Sequence, residues 1–342
     1  MHSSFWGGVP FGQALGRTTG DGPWFSRRWG MRANFQTTLA ERVDLMGRGV
    51  HGGAESRVSL LPAEPNTGIV FVKAGAARSQ RIKLSPEAVR NTDFATVLGD
   101  ENGTLCSTVE HLLATFVGLG IDNVVVEVEG GEVPIFDGSA LAFIEAIEAV
   151  GIEHQEAPRR YLKVLKPIRV AQGRASGELL PYDAGFRVEV EIDFDHALIG
   201  HQRYAATLSP DTFRQDLAPA RTFGFMSDVA KLWSAGYALG ASLENTVCLG
   251  EDRVLNPGGL RFSDEFVRHK ALDAVGDLAL AGLPILGRYH SVCGGHKLNA
   301  AVVAALTADR SAWTVVEAPK ARARGQAELG VPVAVPAYRA ES

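Results

Sequence analysis

The sequence predicts an α+β fold made of two similar domains. Each is a β-sheet packed with helices, small inserts occur in each, and the active site lies between them. Two observations predict this. One order of elements occurs twice: alternating strands, a helix, a β-rich stretch and a second helix. Within that repeat, Val109-Glu-His111 and the run ending at Gly118 echo Val267-Arg-His269 and the run ending at Gly276. The expected boundaries are 34–158 for the first domain and 159–318 for the second, with an insert at about 225–249. Residues 1–33 read as a disordered extension or a mis-assigned start, with Met31 as the alternative. Residues 319–342, Ala- and Arg-rich and then broken by Pro332 and Pro336, read as a flexible tail.

In the first half, apolar–polar alternation predicts strands from Arg57 to Leu61 and from Gly68 to Lys73. Val109, Leu112, Leu113, Phe116 and Val117 then recur at helical spacing. Ser107 and Glu110 fit a capping box at the start of that helix, and Gly118 and Gly120 fit its end. β-rich stretches follow from Asp122 to Val128 and from Glu132 to Phe136. A second helix starts at Asp137-Gly138-Ser139 and runs through Phe143 to Val150.

The second half predicts strands from Arg159 to Ala171 and from Phe186 to Phe194. The segment from Phe266 to Leu278 reads as a helix that is apolar nearly all round, which marks it as buried. A β-rich stretch, Pro284 to Val292, comes next. The paired glycines Gly294 and Gly295 let the backbone turn tightly into a last helical run, Ala300 to Ala308.

The buried helix carries His269, Asp273 and Asp277 four residues apart, and so on one face. Ionisable groups in file on a buried helix are costly unless paired, and a divalent metal is a good partner. A His and a carboxylate at this spacing reach one ion. His111, in the first turn of the earlier helix, is the best source of a third ligand. Glu110 lies about 100° round the axis from it and can approach the same centre. Two His, one carboxylate and an open position form the pattern of a catalytic zinc site. His296, at a loop-to-helix junction, suits a general acid, with Asp277 supporting its charge.

Spacing alone leaves plainer readings open. His269 and Asp273 are also an ordinary ion pair worth about 0.2–0.5 kcal/mol. Glu110 is also a cap, His111 a helix histidine, and His296 an exposed helix start. The strong H-E-x-x-H signature is absent.

Composition excludes several classes. The chain has 342 residues, 46% of them hydrophobic, enough for two compact cores. A net charge of −5 gives no support for a nucleic-acid partner. Three cysteines, Cys106, Cys248 and Cys293, lack metal-type spacing and suit a reducing cytoplasm. No apolar run of about 18–20 residues exists to span a membrane.

With these residues assembled, the chain resembles the bacterial UDP-3-O-acyl-N-acetylglucosamine deacetylases, the zinc enzymes of lipid A biosynthesis. The resemblance runs from about Asn34 to about Glu317. Colinear segments carry it: Gly47-Arg-Gly-Val-His51, Ser107-Thr-Val-Glu-His-Leu-Leu-Ala114, Pro134-Ile-Phe-Asp-Gly-Ser-Ala140, Ala220-Arg-Thr-Phe-Gly-Phe225, Gly240-Ala-Ser-Leu-Glu-Asn-Thr246, the His269 helix and Gly294-Gly-His296. It implies that His111, His269 and Asp273 hold Zn2+ and that Glu110 takes a proton from the attacking water. It implies that His296, supported by Asp277, protonates the leaving amine and that Thr222 steadies the oxyanion. Lys270 then holds the substrate and Phe223 lines the site.

The substrate implied is a UDP-sugar with one acyl chain, sheathed by the apolar residues of Phe225 to Leu249. The implied protein is a cytoplasmic monomer with no stable membrane insertion. Two departures stand out. Cys293 occupies a position where relatives often carry a Lys or Arg facing the substrate phosphates, and Ala300 one where Asn is common. Two rivals remain: a zinc amidohydrolase for another acylated amino sugar, and a silent member that only binds.

Overall fold

The computed structural model describes residues 34–75 and 80–318. The predicted N-terminal extension and C-terminal tail lie outside the described residues.

The first sheet has five strands in the order Val43–Arg48, Glu55–Pro62, Val124–Glu129, Ile69–Lys73, Arg81–Lys83. A second, seven-stranded sheet contains the same plan in the order Ile168–Gln172, Ala175–Leu180, Ile285–Val292, Phe186–Phe194, Gly200–Thr207. In each, the central strand runs antiparallel to the hairpin on one side and parallel to the hairpin on the other. Arg160–Val164 and Trp313–Glu317 extend the second sheet beside the start of its central strand.

A parallel pair cannot be joined by a tight turn and needs a crossover. Helix α1, Glu110–Leu119, lies in the first crossover, and helix α3, Glu265–Leu278, lies in the second. A second helix follows each central strand: α2, Leu141–Val150, and α4, His296–Ala308. The repeated order predicted from sequence is therefore the order observed.

The two crossover helices pack on one another. Nearly every residue of both is buried, and one apolar core runs from Leu60, Val126 and Phe116 through Phe266 and Leu272 to Val188 and Tyr289. Gly276 makes the close approach possible, because a Cβ there would fall on the carbonyl oxygen of Glu110. This contact brings the polar residues at the start of α1 against those on the middle of α3.

Two local predictions are corrected. Ser107 does not cap α1: Val109 holds the N-cap position, and no side chain caps it. Thr108 is in the left-handed region (φ 58°), which turns Ser107 away toward the Gly131 carbonyl. Glu132 to Phe136 is not a strand. Only Glu132 makes an isolated bridge, to Ser107, and Phe136 turns left-handed at φ 51°. Pro134 has no N–H to give a ladder.

The segment from Phe225 to Leu249 is a β-α-β excursion. Phe223–Phe225 pairs in parallel with Val247–Leu249, with the short helix Val229–Ser234 between them. Val247 and Leu249 at its end are buried in the core, but the apolar side chains of its middle are not: Trp233 is 56% exposed, Leu239 54% and Leu243 46%.

Candidate active site

Three potential ligand atoms, from His111, His269 and Asp273, lie within 4.8 Å of one another, and all three residues are buried. His111 stands in the first turn of α1, while His269 and Asp273 stand one turn apart on α3. Asp273 Oδ1 is 3.4 Å from His269 Nε2 and 3.6 Å from His111 Nε2. The two rings meet edge to face, with centroids 5.0 Å apart.

The tautomer of His269 follows from its environment. Nδ1 is 3.1 Å from the Ala220 carbonyl, which can only accept, so Nδ1 carries the proton. Nε2 then presents its lone pair to the cluster, the arrangement expected of a metal-binding imidazole. Burial holds the His269 ring down to a pKa of about 3, so it is neutral at pH 7. Asp273 behaves oppositely. Burial alone would raise its pKa, but its surroundings, with the Lys270 ammonium bonded to one oxygen, outweigh burial and hold the carboxyl well below the usual range.

One oxygen of Asp273 accepts from Lys270 Nζ at 2.8 Å. The other, Oδ1, is buried and has no hydrogen-bond partner among the described residues. An ionised carboxylate oxygen left bare among two imidazole nitrogens is costly, and a divalent cation among these three donors removes that cost. The residues present therefore fit a metal of the kind that N and O donors hold.

A second cluster adjoins the first. Glu110 is next to His111 in sequence, and its Oε1 is 3.8 Å from His296 Nε2. Burial pushes the Glu110 carboxyl upward. His296 opens α4, and its Nδ1 donates to Asp277 Oδ2 at 2.9 Å. Burial opposes charge on His296, yet Asp277 and Glu110 outweigh it and lift its pKa to about 9. Asp277 also accepts from Asn299 Nδ2 at 2.8 Å and from Thr96 Oγ1 at 2.5 Å. A base, Glu110, and an acid, His296, the latter hydrogen-bonded to Asp277, thus stand 3.8 Å apart beside the three-donor cluster.

Of the other predicted residues, Lys270 and Phe223 adjoin this centre. Lys270 Nζ lies 5.8 Å from the centroid of the Phe223 ring, and that ring is 6.3 Å from the His269 ring. Thr222 immediately precedes the strand Phe223–Phe225, with its amide donating to Gly138 and its carbonyl accepting from Val247. His51 sits under the excursion: its carbonyl accepts from Leu239 N, and its ring meets Tyr237 edge-on.

Sequence reasoning assigned no part to several residues that hold the site. Glu132 accepts from the amides of His51 and Gly52 and from the Thr108 hydroxyl. Glu265 accepts from Arg221 through both its backbone amide and its guanidinium, which fixes the Arg221-Thr222-Phe223 segment. Both are buried carboxylates. Thr96 and Asn299 complete the shell of Asp277. The available signal was a single acidic or polar residue in each case, which is too common to single out.

The chain matches the family model of UDP-3-O-acyl N-acetylglycosamine deacetylase over residues 36–308. Curated UDP-3-O-acyl-N-acetylglucosamine deacetylases of Brucella ovis and Brucella canis are each 51% identical to it over 285 residues, covering 83% of this chain and 99% of the relative. The protein of that name from Brucella melitensis is 50% identical over the same lengths.

Proposed function

The chain belongs to the UDP-3-O-acyl N-acetylglycosamine deacetylase family, and from that premise we propose that it hydrolyses the N-acetyl group of UDP-3-O-acyl-N-acetylglucosamine, releasing acetate in lipid A biosynthesis. The observation that carries this reading is the bare, buried Asp273 Oδ1 between two imidazoles, beside an acid–base pair. Amide hydrolysis needs an electrophilic centre, a base and an acid, and the cluster offers a place for each.

His111, His269 and Asp273 would hold a zinc ion. When bound, the ion would supply Lewis acidity, polarising the amide carbonyl and lowering the pKa of water toward about 7. Glu110 takes the proton of the attacking water. Its Oε2 is already occupied by the Thr96 amide, so Oε1 is the accepting atom. His296 gives a proton from Nε2 to the departing nitrogen. With a pKa lifted to about 9, it is charged at neutral pH. Asp277 fixes the proton on Nδ1 and so leaves Nε2 to donate. Thr222 steadies the negative charge that develops on the carbonyl oxygen, a service worth about 3–4 kcal/mol where such donors have been removed. Lys270 and Phe223 hold the sugar nucleotide.

The exposed apolar side chains of the 225–249 excursion suit the substrate's acyl chain. Arg174 is the cation beside Cys293, with Nη2 3.8 Å from the Cys293 sulfur and paired to Asp193 Oδ2 at 2.8 Å. No helix among the described residues is long and apolar enough to cross a membrane; a cytoplasmic location and a monomeric state belong to this proposal. The domain division at 158/159 remains part of the same proposal.

Acetate release from the synthetic substrate, with and without a chelator, tests the reading. Chelation should abolish release, and added Zn2+ should restore it. Glu110→Gln should keep the metal and lose turnover by about 10²-fold or more. Release that survives complete metal removal would sink the proposal.

A further inference from the structure

Thr96 is fully buried and touches both halves of the proton-transfer pair. Its backbone amide donates to Glu110 Oε2 at 3.0 Å. Its hydroxyl donates to Asp277 Oδ1 at 2.5 Å. Its carbonyl accepts from Val109 N, the residue before Glu110, at 3.4 Å. One residue therefore bonds to the start of α1 and to the end of α3, helices from the two repeats.

The Asp277 carboxylate has no rotational freedom left. Oδ2 accepts from His296 Nδ1 and Asn299 Nδ2, and Asn299 is itself held by the Tyr289 hydroxyl at 2.6 Å. Oδ1 accepts from Thr96. Removing the Thr96 hydroxyl frees the carboxylate to turn about its remaining bonds. The imidazole of His296 turns with it, and Nε2 leaves its place 3.8 Å from Glu110 Oε1. A misplacement of about 1 Å at a reacting group is enough to cost on the order of 10²-fold in rate.

We infer that Thr96 is the positioning residue that fixes the proton donor against the proton acceptor, through its hydroxyl on Asp277 and its amide on Glu110. The inference rests on the proposed deacetylation. Thr96, fully buried, acts through these two carboxylates. A single residue with an amide bond to one carboxylate and a short hydroxyl bond to the other holds the two groups in register across the helix contact. Serine can replace it; valine, of nearly the same shape, keeps only the amide.

The test is Thr96→Val, Thr96→Ser and Thr96→Val combined with Asp277→Asn, assayed for acetate release and zinc content. Thr96→Val should lower kcat about tenfold or more, equivalent to about 1.4 kcal/mol in the barrier, with KM and zinc unchanged. Thr96→Ser should recover most of that loss. In the Asp277→Asn background the valine should cost little further, because the bond it breaks acts through Asp277. If the valine variant does not fold, Thr96→Ala against Thr96→Ser makes the same comparison. A parent-like kcat in the valine variant would overturn the inference. So would an equal loss in both backgrounds, or a loss that comes with departed zinc and a raised KM. A parent protein that releases no acetate sinks both readings, whereas an active parent with an indifferent valine variant removes only the role of Thr96.

Discussion

Gly276→Ala should destabilise the protein, although an alanine in a helix is ordinarily the better residue. On propensity alone the change gains about 1 kcal/mol. The packing reverses the sign. The new Cβ would sit 2.8 Å from the Glu110 carbonyl carbon and 3.1 Å from Ala114 N, both backbone atoms of the facing helix. Ordinary carbon–oxygen contacts begin near 3.3 Å, so α1 and α3 must part by roughly 1 Å. Overpacking of this kind costs about 1–3 kcal/mol. At about 2–4 °C per kcal/mol for a domain of this size, Tm should fall by several degrees.

The parting has a second consequence. His111 is on one helix, and His269 and Asp273 are on the other. Metal sites tolerate errors of only about 0.2 Å in ligand distance, so metal affinity should fall by about 10–100-fold. Thermal melts with and without chelator, and zinc retained after dialysis, measure both effects. A raised Tm with parent-like zinc would refute the reasoning and show that the helices yield freely.

Three further outcomes are expected. His269→Ala and Asp273→Ala should each leave less than stoichiometric zinc by metal analysis, since two of the three donors sit on that one helix; unchanged zinc would remove them from the ligand set. In chelator-treated protein, the raised pKa of His296 stabilises the fold in full below 6.5, its ordinary value, and that contribution is lost as pH rises through about 9. Tm should therefore fall more steeply across this window in the parent than in His296→Gln, and parallel curves would contradict the charge assigned to His296. Finally, each methylene removed from the substrate's acyl chain should weaken binding about fourfold, or ~0.8 kcal/mol. Leu243→Glu should penalise long-chain substrates most; equal kcat/KM for long and short chains in the parent would leave the 225–249 excursion without its proposed role.

The sequence by itself determined whatever is encoded within one or two turns of chain. The periodicity of 266–278 specified a buried helix, and i, i+4 spacing put His269, Asp273 and Asp277 on one face of it. The repeated order of elements specified two sheets of one plan. Where a local signal met a distant partner, the sequence misled. Ser107 and Glu110 have capping-box spacing, but the Thr108 hydroxyl is bonded to Glu132 and the chain turns left-handed before the helix begins. Tertiary structure alone decided the partners. Thr96 and Asp277 are 181 positions apart, and the carbonyl that fixes the His269 tautomer belongs to Ala220, 49 positions away. The bare oxygen of Asp273 is likewise a property of packing, since burial removes the water that would otherwise satisfy it. Periodicity is a property of neighbours along the chain. Hydrogen-bond partners, exposure and pKa are properties of neighbours in space, and those exist only once α1 and α3 meet at Gly276.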